Sequence, residues 1–167
     1  MPNPVPDPAI VDAYRSAIGR PRRSLATPAL ILDLEVARQN IRTMAQKMRS
    51  TRARLRPHIK GQKSPQLARL QVDAGAIGVC TATVWEAIVM SRAGIEDVLV
   101  ANEVVGPHKI AALAQAAKQR HITVAVDDAR NVQDLSTAMV SAHGSLDLLI
   151  EVDVGMQRGG VRSPEEA

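Results

Sequence analysis

Five short apolar stretches, at residues 55–60, 76–80, 98–102, 122–127 and 147–153, begin 21 to 25 residues apart, and all but the last lead into a helical pattern. That period is one strand plus one helix, so it predicts an α/β fold with a parallel sheet. Each helix carries its own punctuation. Ser64-Pro65 opens the first and Gly75 follows it, while Thr83 and Glu86 form a capping box for the second, which Gly94 ends. Gly106-Pro107 starts the third, with Ile110, Leu113, Ala114 and Ala117 on one side. Asp127 or Asp128 caps the fourth, which packs Val132, Leu135 and Met139 and stops at Gly144. Upstream, residues 29–32 read as a strand and 34–49 as an amphipathic helix with Ala37, Ile41, Met44 and Met48 inward. Six of the ten prolines fall in residues 1–28, which marks an irregular arm around one short helix capped by Asp7, begun by Pro8 and followed by Gly19.

Alternation along the strands separates two faces. Leu55, Pro57 and Ile59 oppose Arg56, His58 and Lys60; Ile122, Val124 and Val126 oppose Thr123, Ala125 and Asp127; Leu148, Ile150 and Val152 oppose Asp147, Glu151 and Asp153. One face is apolar for helices to cover, and the other is small or charged. A five-stranded doubly wound sheet would use the same number of units, but it carries helices on both faces and should be apolar on both. A barrel whose polar mouth lies at the C-terminal strand ends accounts for the charges, since His58, Lys60, Asn102, Asp127, Glu151 and Asp153 all fall near those ends. The pattern alone leaves a structural ion-pair cluster, Arg56 and Lys60 against Glu151 and Asp153, equally open.

Several classes of function are excluded or disfavoured. Only Trp85 and Tyr14 are aromatic, too few for a base-stacking surface. Residues 1–70 carry a balance of +10 and residues 71–167 one of −6, yet the arginines from Arg38 to Arg54 form the solvated side of the 34–49 helix, with no nucleic-acid motif beside them. No apolar run is long enough to span a membrane. Cys80 is the only cysteine and is read as core packing, and the opening MPNPVPDP has no secretory pattern, so the expected location is cytoplasmic. Neither a zinc-protease motif nor a phosphate-binding glycine loop occurs, and no metal ligands are expected in this chain.

A lysine at a strand end among cations is a candidate for carbonyl chemistry, because Arg56 and a protonated His58 would lower the Lys60 pKa and free its amine. Lys63, in the following turn, is expected to be solvated or to contact a phosphate or helix N-terminus.

Taken in order, Thr27-Pro28-Ala29-Leu30-Ile31-Leu32-Asp33, Arg56-Pro57-His58-Ile59-Lys60, Gly78-Val79-Cys80, Ala101-Asn102-Glu103-Val104 and Glu151-Val152-Asp153-Val154-Gly155 leading to Arg158-Gly159-Gly160-Val161 resemble the D-threonine aldolase and D-serine dehydratase-like family. These are pyridoxal-phosphate enzymes of the alanine-racemase fold type. The resemblance implies a partial (β/α)8 TIM-type barrel with about five of its eight βα units. It implies that Lys60 forms the internal aldimine with pyridoxal phosphate and that Arg158 contacts the cofactor's phenolic oxygen. His58 and Asn102 are read as further cofactor contacts. Residues 29–32 would belong with a C-terminal β domain, which also holds a divalent metal and is not part of this sequence. A small D-amino acid substrate and a homodimer in the complete protein go with it. One departure stands out: the family usually has Lys-Thr-His-Lys where this chain has Lys60-Gly61-Gln62-Lys63, and glutamine cannot titrate.

The expected organisation is an N-terminal arm at 1–26, a strand and helix at 27–54, and an incomplete barrel at 55–167. Ser163-Pro164-Glu165-Glu166 reads as a helix start one residue before the end, which points to a fragment, a truncated product or a vestigial helix. The reaction implied is retro-aldol cleavage of a D-threonine-like substrate to glycine and an aldehyde. The alternatives are β-elimination of D-serine, a non-catalytic cofactor-binding protein, and an inactive fragment.

Overall fold

The computed structural model describes residues 7–167, so Pro2, Pro4 and Pro6 of the expected arm lie outside the described residues. It divides into two units, residues 1–37 and 38–167. In the first, α1 (Pro8–Arg15) begins where Asp7 Oδ1 accepts the Ala9 N–H at 2.8 Å, with proline in the first turn. A 3-10 turn (Arg22–Ser24) follows, and the Tyr14 hydroxyl donates to the Pro28 carbonyl at 3.1 Å. The strand expected at 29–32 does not form among the described residues: Leu30, Ile31 and Leu32 are exposed. Apolar alternation makes a strand only where a neighbour supplies backbone donors and acceptors, and none of the described residues does so here. Helix α2 (Leu34–Arg49) runs from one unit into the other.

In the second unit, α3 (Pro65–Asp73), β1 (Val79–Thr81), α4 (Val84–Arg92), β2 (Asp97–Glu103), α5 (Pro107–Ala117), β3 (His121–Val126), α6 (Ala129–Ala142) and β4 (Asp147–Ile150) alternate as the period requires. The strands form one parallel sheet in the order β1-β2-β3-β4. Val79, Val98, Val100, Ile122, Val124 and Val126 point from the sheet into a core closed by Met90, Ile95, Leu113 and Leu135, all buried. Helix starts follow the predicted caps. Ser64 Oγ accepts from Leu67 N at 3.3 Å, Thr83 Oγ1 from Glu86 N at 3.2 Å, and Asp128, rather than Asp127, caps α6 by accepting from Arg130 N at 2.7 Å. At the other end of α6 the left-handed residue is His143, one position before the expected Gly144.

Four expected elements are shorter than predicted, the first being the strand at 76–80, where only Val79–Thr81 forms. Residues 55–60 lie beside β1 but make only one bridge, His58 with Cys80, because Pro57 has no N–H to give; its carbonyl still accepts from Cys80 N at 2.8 Å and Ile59 N donates to Cys80 O at 2.8 Å. The last strand ends at Ile150, after which Val152 pairs across a loop with Val161. Ser163–Glu166 closes a single turn, with Glu166 N on Ser163 O at 3.2 Å. Leu148, Ile150 and Val152 are apolar as the alternation requires, yet they stand exposed, since no helix among the described residues covers β4.

The N-terminal ends of the strands are stapled by charge. Arg56 grips Asp97 in a bidentate pair at 2.8 and 2.9 Å, and His121 bridges Asp97 (Nδ1, 3.1 Å) and Asp147 (Nε2, 2.7 Å). The hydrogen bonds to Asp147 and then Asp97 raise the His121 pKa above its ordinary value. A histidine raised on folding contributes stability that is complete below its unfolded value, about 6.5, and is lost as pH rises through the folded value. Thermal melting from about pH 6 to 8 should therefore show stability falling with pH in the wild type, with a flatter profile in His121→Gln. Equal slopes would remove the staple.

Candidate active site

A cavity of about 450 Å3 opens at the N-terminal strand ends around His121, whose ring is already engaged by two carboxylates. The opposite ends, where barrel chemistry is placed, hold a cavity of about 340 Å3. His58, Lys60, Asn102 and Arg158 all line it, with Glu103, Glu151 and Gly159 beside them. Four residues singled out from sequence, on three separate segments, thus meet in one place.

Their presentation follows from local structure. Lys60 lies just beyond the segment held against β1, at the start of the turn whose Gln62 and Lys63 amides donate to Ile59 O. Asn102 and Glu103 reach the same cavity because β2 bulges: Val100 pairs with Val124, but the next register partner of β3, Ala125, is Glu103. The expected strand ended at Asn102, and Glu103, one residue beyond it, was not among the expected site residues. Arg158 sits on a loop tied by carboxylates. Asp153 Oδ1 accepts from Gly155 N and Gln157 N, each at 2.9 Å, and Asp127 Oδ2 accepts from Gly160 N at 3.0 Å. Gly160 has φ +96, and a β-carbon there would lie 2.6 Å from Asp153 N and 2.8 Å from the Val152 carbonyl carbon, so only glycine closes this loop.

The electrostatics differ from expectation at two positions. His58 was to be a cation lowering the Lys60 pKa, but burial, and then the Lys60 charge, push its own pKa down, so the ring is neutral at pH 7. Its Nδ1 accepts the Lys60 N–H at 3.3 Å, which leaves the proton on Nε2. Arg56 does not supply a free cation beside Lys60 either, since its guanidinium is paired with Asp97. Lys63 is exposed, as expected, and its Nζ lies 2.9 Å from Glu86 Oε1, while Glu86 Oε2 accepts the Ala82 N–H. Gln62, at the position of the family histidine, donates to Gln71 on α3 at 3.0 Å. Cys80 is buried in β1, and burial pushes its thiol pKa up, which fits a packing role.

Residues 32–167 match the family described as alanine racemase, N-terminal domain. The chain belongs to that family. Its parallel sheet and outer helices are accordingly part of an alanine-racemase-type (β/α)8 barrel. Proteins similar to the chain include a D-threonine aldolase from Arthrobacter, 44% identical over 86% of this chain and 38% of its own length. A 3-hydroxy-D-aspartate aldolase from Paracoccus denitrificans is 41% identical over 88% of this chain and 38% of its length. Among solved structures, D-threonine aldolase from Filomicrobium marinum superposes with a TM-score of 0.83 at 47% identity, covering 86% of this chain and 39% of that one. The chain therefore spans less than two fifths of the length of these relatives.

Proposed function

We propose that this chain forms the cofactor-binding part of a pyridoxal-phosphate-dependent lyase that cleaves β-hydroxy-D-amino acids of the D-threonine type by retro-aldol reaction. The observation that carries the proposal is the convergence of Lys60, His58, Asn102 and Arg158 on one cavity at the C-terminal strand ends. The donor set suits an anionic aromatic aldehyde: an amine, a guanidinium and a carboxamide around about 340 Å3. Lys60 has no ion-pair partner among the described residues, whereas Lys63, the other lysine of the turn, is held by Glu86. That two curated relatives above 40% identity are both named aldolases supports cleavage over elimination.

In this reading Lys60 holds the cofactor through its amine and gives it up to substrate. Arg158 donates to the ring oxygen. His58, neutral and oriented by the Lys60 N–H, presents its Nε2 proton to the pocket as a donor. The cofactor, when bound, supplies the electron sink for the carbon left after the Cα–Cβ bond breaks. The divalent metal belongs with the C-terminal domain that the family resemblance implies. Residues 55–167 as barrel, cytoplasmic residence and homodimeric assembly complete the proposal.

Borohydride reduction after incubation with pyridoxal phosphate tests it. The expected adduct is one cofactor on the Lys60 peptide. A label spread over exposed lysines such as Lys47 and Lys109, or none, would overturn the assignment. For the reaction, the protein with added divalent metal should release glycine from D-threonine; pyruvate from D-serine without glycine would instead favour elimination.

A further inference from the structure

A single carboxylate ties together segments that line the Lys60 cavity. Glu86, in the first turn of α4, has a side chain only 12% exposed, and its two oxygens meet different neighbours. Oε2 accepts the Ala82 N–H at 2.8 Å, and Oε1 lies 2.9 Å from Lys63 Nζ. Ala82 is held at its carbonyl as well, which accepts from Asn102 Nδ2 at 3.3 Å. Lys60, Ala82 and Asn102 all line the cavity. The cap on α4 is supplied separately, by Thr83 Oγ1, which accepts the Glu86 N–H at 3.2 Å. Burial by itself would raise the Glu86 pKa, but the hydrogen bonds from Lys63 and Ala82 outweigh it and hold the group below the usual carboxylate range. The carboxylate is therefore ionised at neutral pH, as the pair with Lys63 requires.

The turn that carries Lys60 is tight. Ile59 O accepts from both Gln62 N, at 3.1 Å, and Lys63 N, at 2.8 Å, and Lys63 adopts φ +49, a region that a residue with a β-carbon enters at a cost. Gln62 bonds only to Gln71, on the helix that follows the same turn. Among the described residues, the Lys63–Glu86 pair is the one hydrogen bond or ion pair that carries residues 60–64 across to the next strand and helix.

We propose that Glu86 is a positioning residue for Lys60: through Lys63 it pins the turn that presents the amine, and through Ala82 it pins the cavity wall that Asn102 also holds. Glu86 and Lys63 need not touch the cofactor to matter. An amine whose turn is already fixed when a carbonyl arrives gives up less freedom on attack, and the reaction gains in rate accordingly. The contacts of the latch stand on this chain alone, while its value to the amine rests on the cofactor reading above.

Lys63→Met separates positioning from helix capping, because it removes the ammonium, keeps most of the stem and leaves Glu86, Ala82 and Thr83 in place. The first measurement is amide hydrogen exchange on the full chain without cofactor. Corrected for intrinsic rates, the amides at positions 62 and 63 should exchange about fivefold faster in Lys63→Met, the scale of one ion pair near the surface, with those of α4 unchanged. The second is the rate at which pyridoxal phosphate becomes reducible by borohydride on Lys60, read by mass spectrometry against Lys109 as an internal reference. Lys63→Met should slow it about fivefold while the saturated adduct stays at one cofactor per chain. Lys63→Arg, which can still pair with Glu86, should restore both rates to within about twofold of the wild type. The Lys63 side chain is 66% exposed, so its loss should lower the melting midpoint by no more than about 4 °C, and a slower Lys60 is then not a loss of fold. Exchange that Lys63→Met leaves unchanged would overturn the latch. A Lys60 rate that it leaves unchanged would overturn the positioning role and return Glu86 to the helix start alone. Faster exchange in Lys63→Met, with no adduct on Lys60 in the wild type, would refute the cofactor reading and leave the latch standing.

Discussion

Lys60→Ala is expected to abolish the reducible cofactor adduct and the internal-aldimine absorbance, and to lower lyase activity on the order of 10³-fold or more. The size of the effect follows from chemistry that no neighbour can replace. Lys63 is the nearest alternative amine in sequence, but its Nζ is committed to Glu86 at 2.9 Å. Lys60→Arg should fail equally: it keeps the positive charge, but a guanidinium does not deprotonate to attack a carbonyl. Lys60 is exposed and makes no ion pair among the described residues, so the alanine variant should melt within about 0.5 kcal/mol of the wild type. Lys63→Ala is the matched comparison and should retain the adduct. Stoichiometric reducible cofactor on Lys60→Ala would remove Lys60 from its proposed role.

Gly78→Ala should produce the largest loss of stability. Gly78 is buried immediately before β1, where the chain passes the start of β2. A β-carbon there would collide with the Asp97 carbonyl oxygen and lie 2.7 Å from Arg56 Nη1 and 3.0 Å from the Asp97 carbonyl carbon. Two of those atoms are backbone and cannot rotate away, and the third belongs to the bidentate Arg56–Asp97 pair. Relief requires β1 and β2 to separate, or the pair to break while both residues remain partly buried. Overpacking of this kind costs about 3 kcal/mol. For a chain of this size that corresponds to a melting midpoint lower by roughly 6 to 12 °C. A midpoint within about 2 °C of the wild type would show that the strands yield more easily than their packing implies.

Much of the barrel portion was legible because its signals are local. A serine before a proline, a threonine three residues before a glutamate and an aspartate at a helix start act through hydrogen bonds within one turn, and Ser64, Thr83 and Asp128 make those bonds. Lys60, His58, Asn102 and Arg158 could be singled out because strand ends are recognisable from the apolar runs preceding them and because their motifs resemble a family in order. The misreadings were non-local. Whether residues 29–32 become a strand depends on a pairing partner; the shortening at 55–60 is the exception, since the donor that Pro57 lacks is legible in the sequence. The neutrality of His58 depends on burial, and the engagement of Arg56 depends on Asp97, 41 residues away.

The sequence by itself determined the alternation of strand and helix, the apolar face of the sheet and the lysine at its polar end. Those follow from side-chain periodicity and capping, which each segment carries within itself. Only the tertiary structure decided that β2 bulges between Val100 and Glu103, and with it that Glu103 joins Glu151 and Arg158 around the cavity of Lys60. Register between strands is set by contacts among segments far apart in the chain, and a shift in it reassigns which side chains face the pocket.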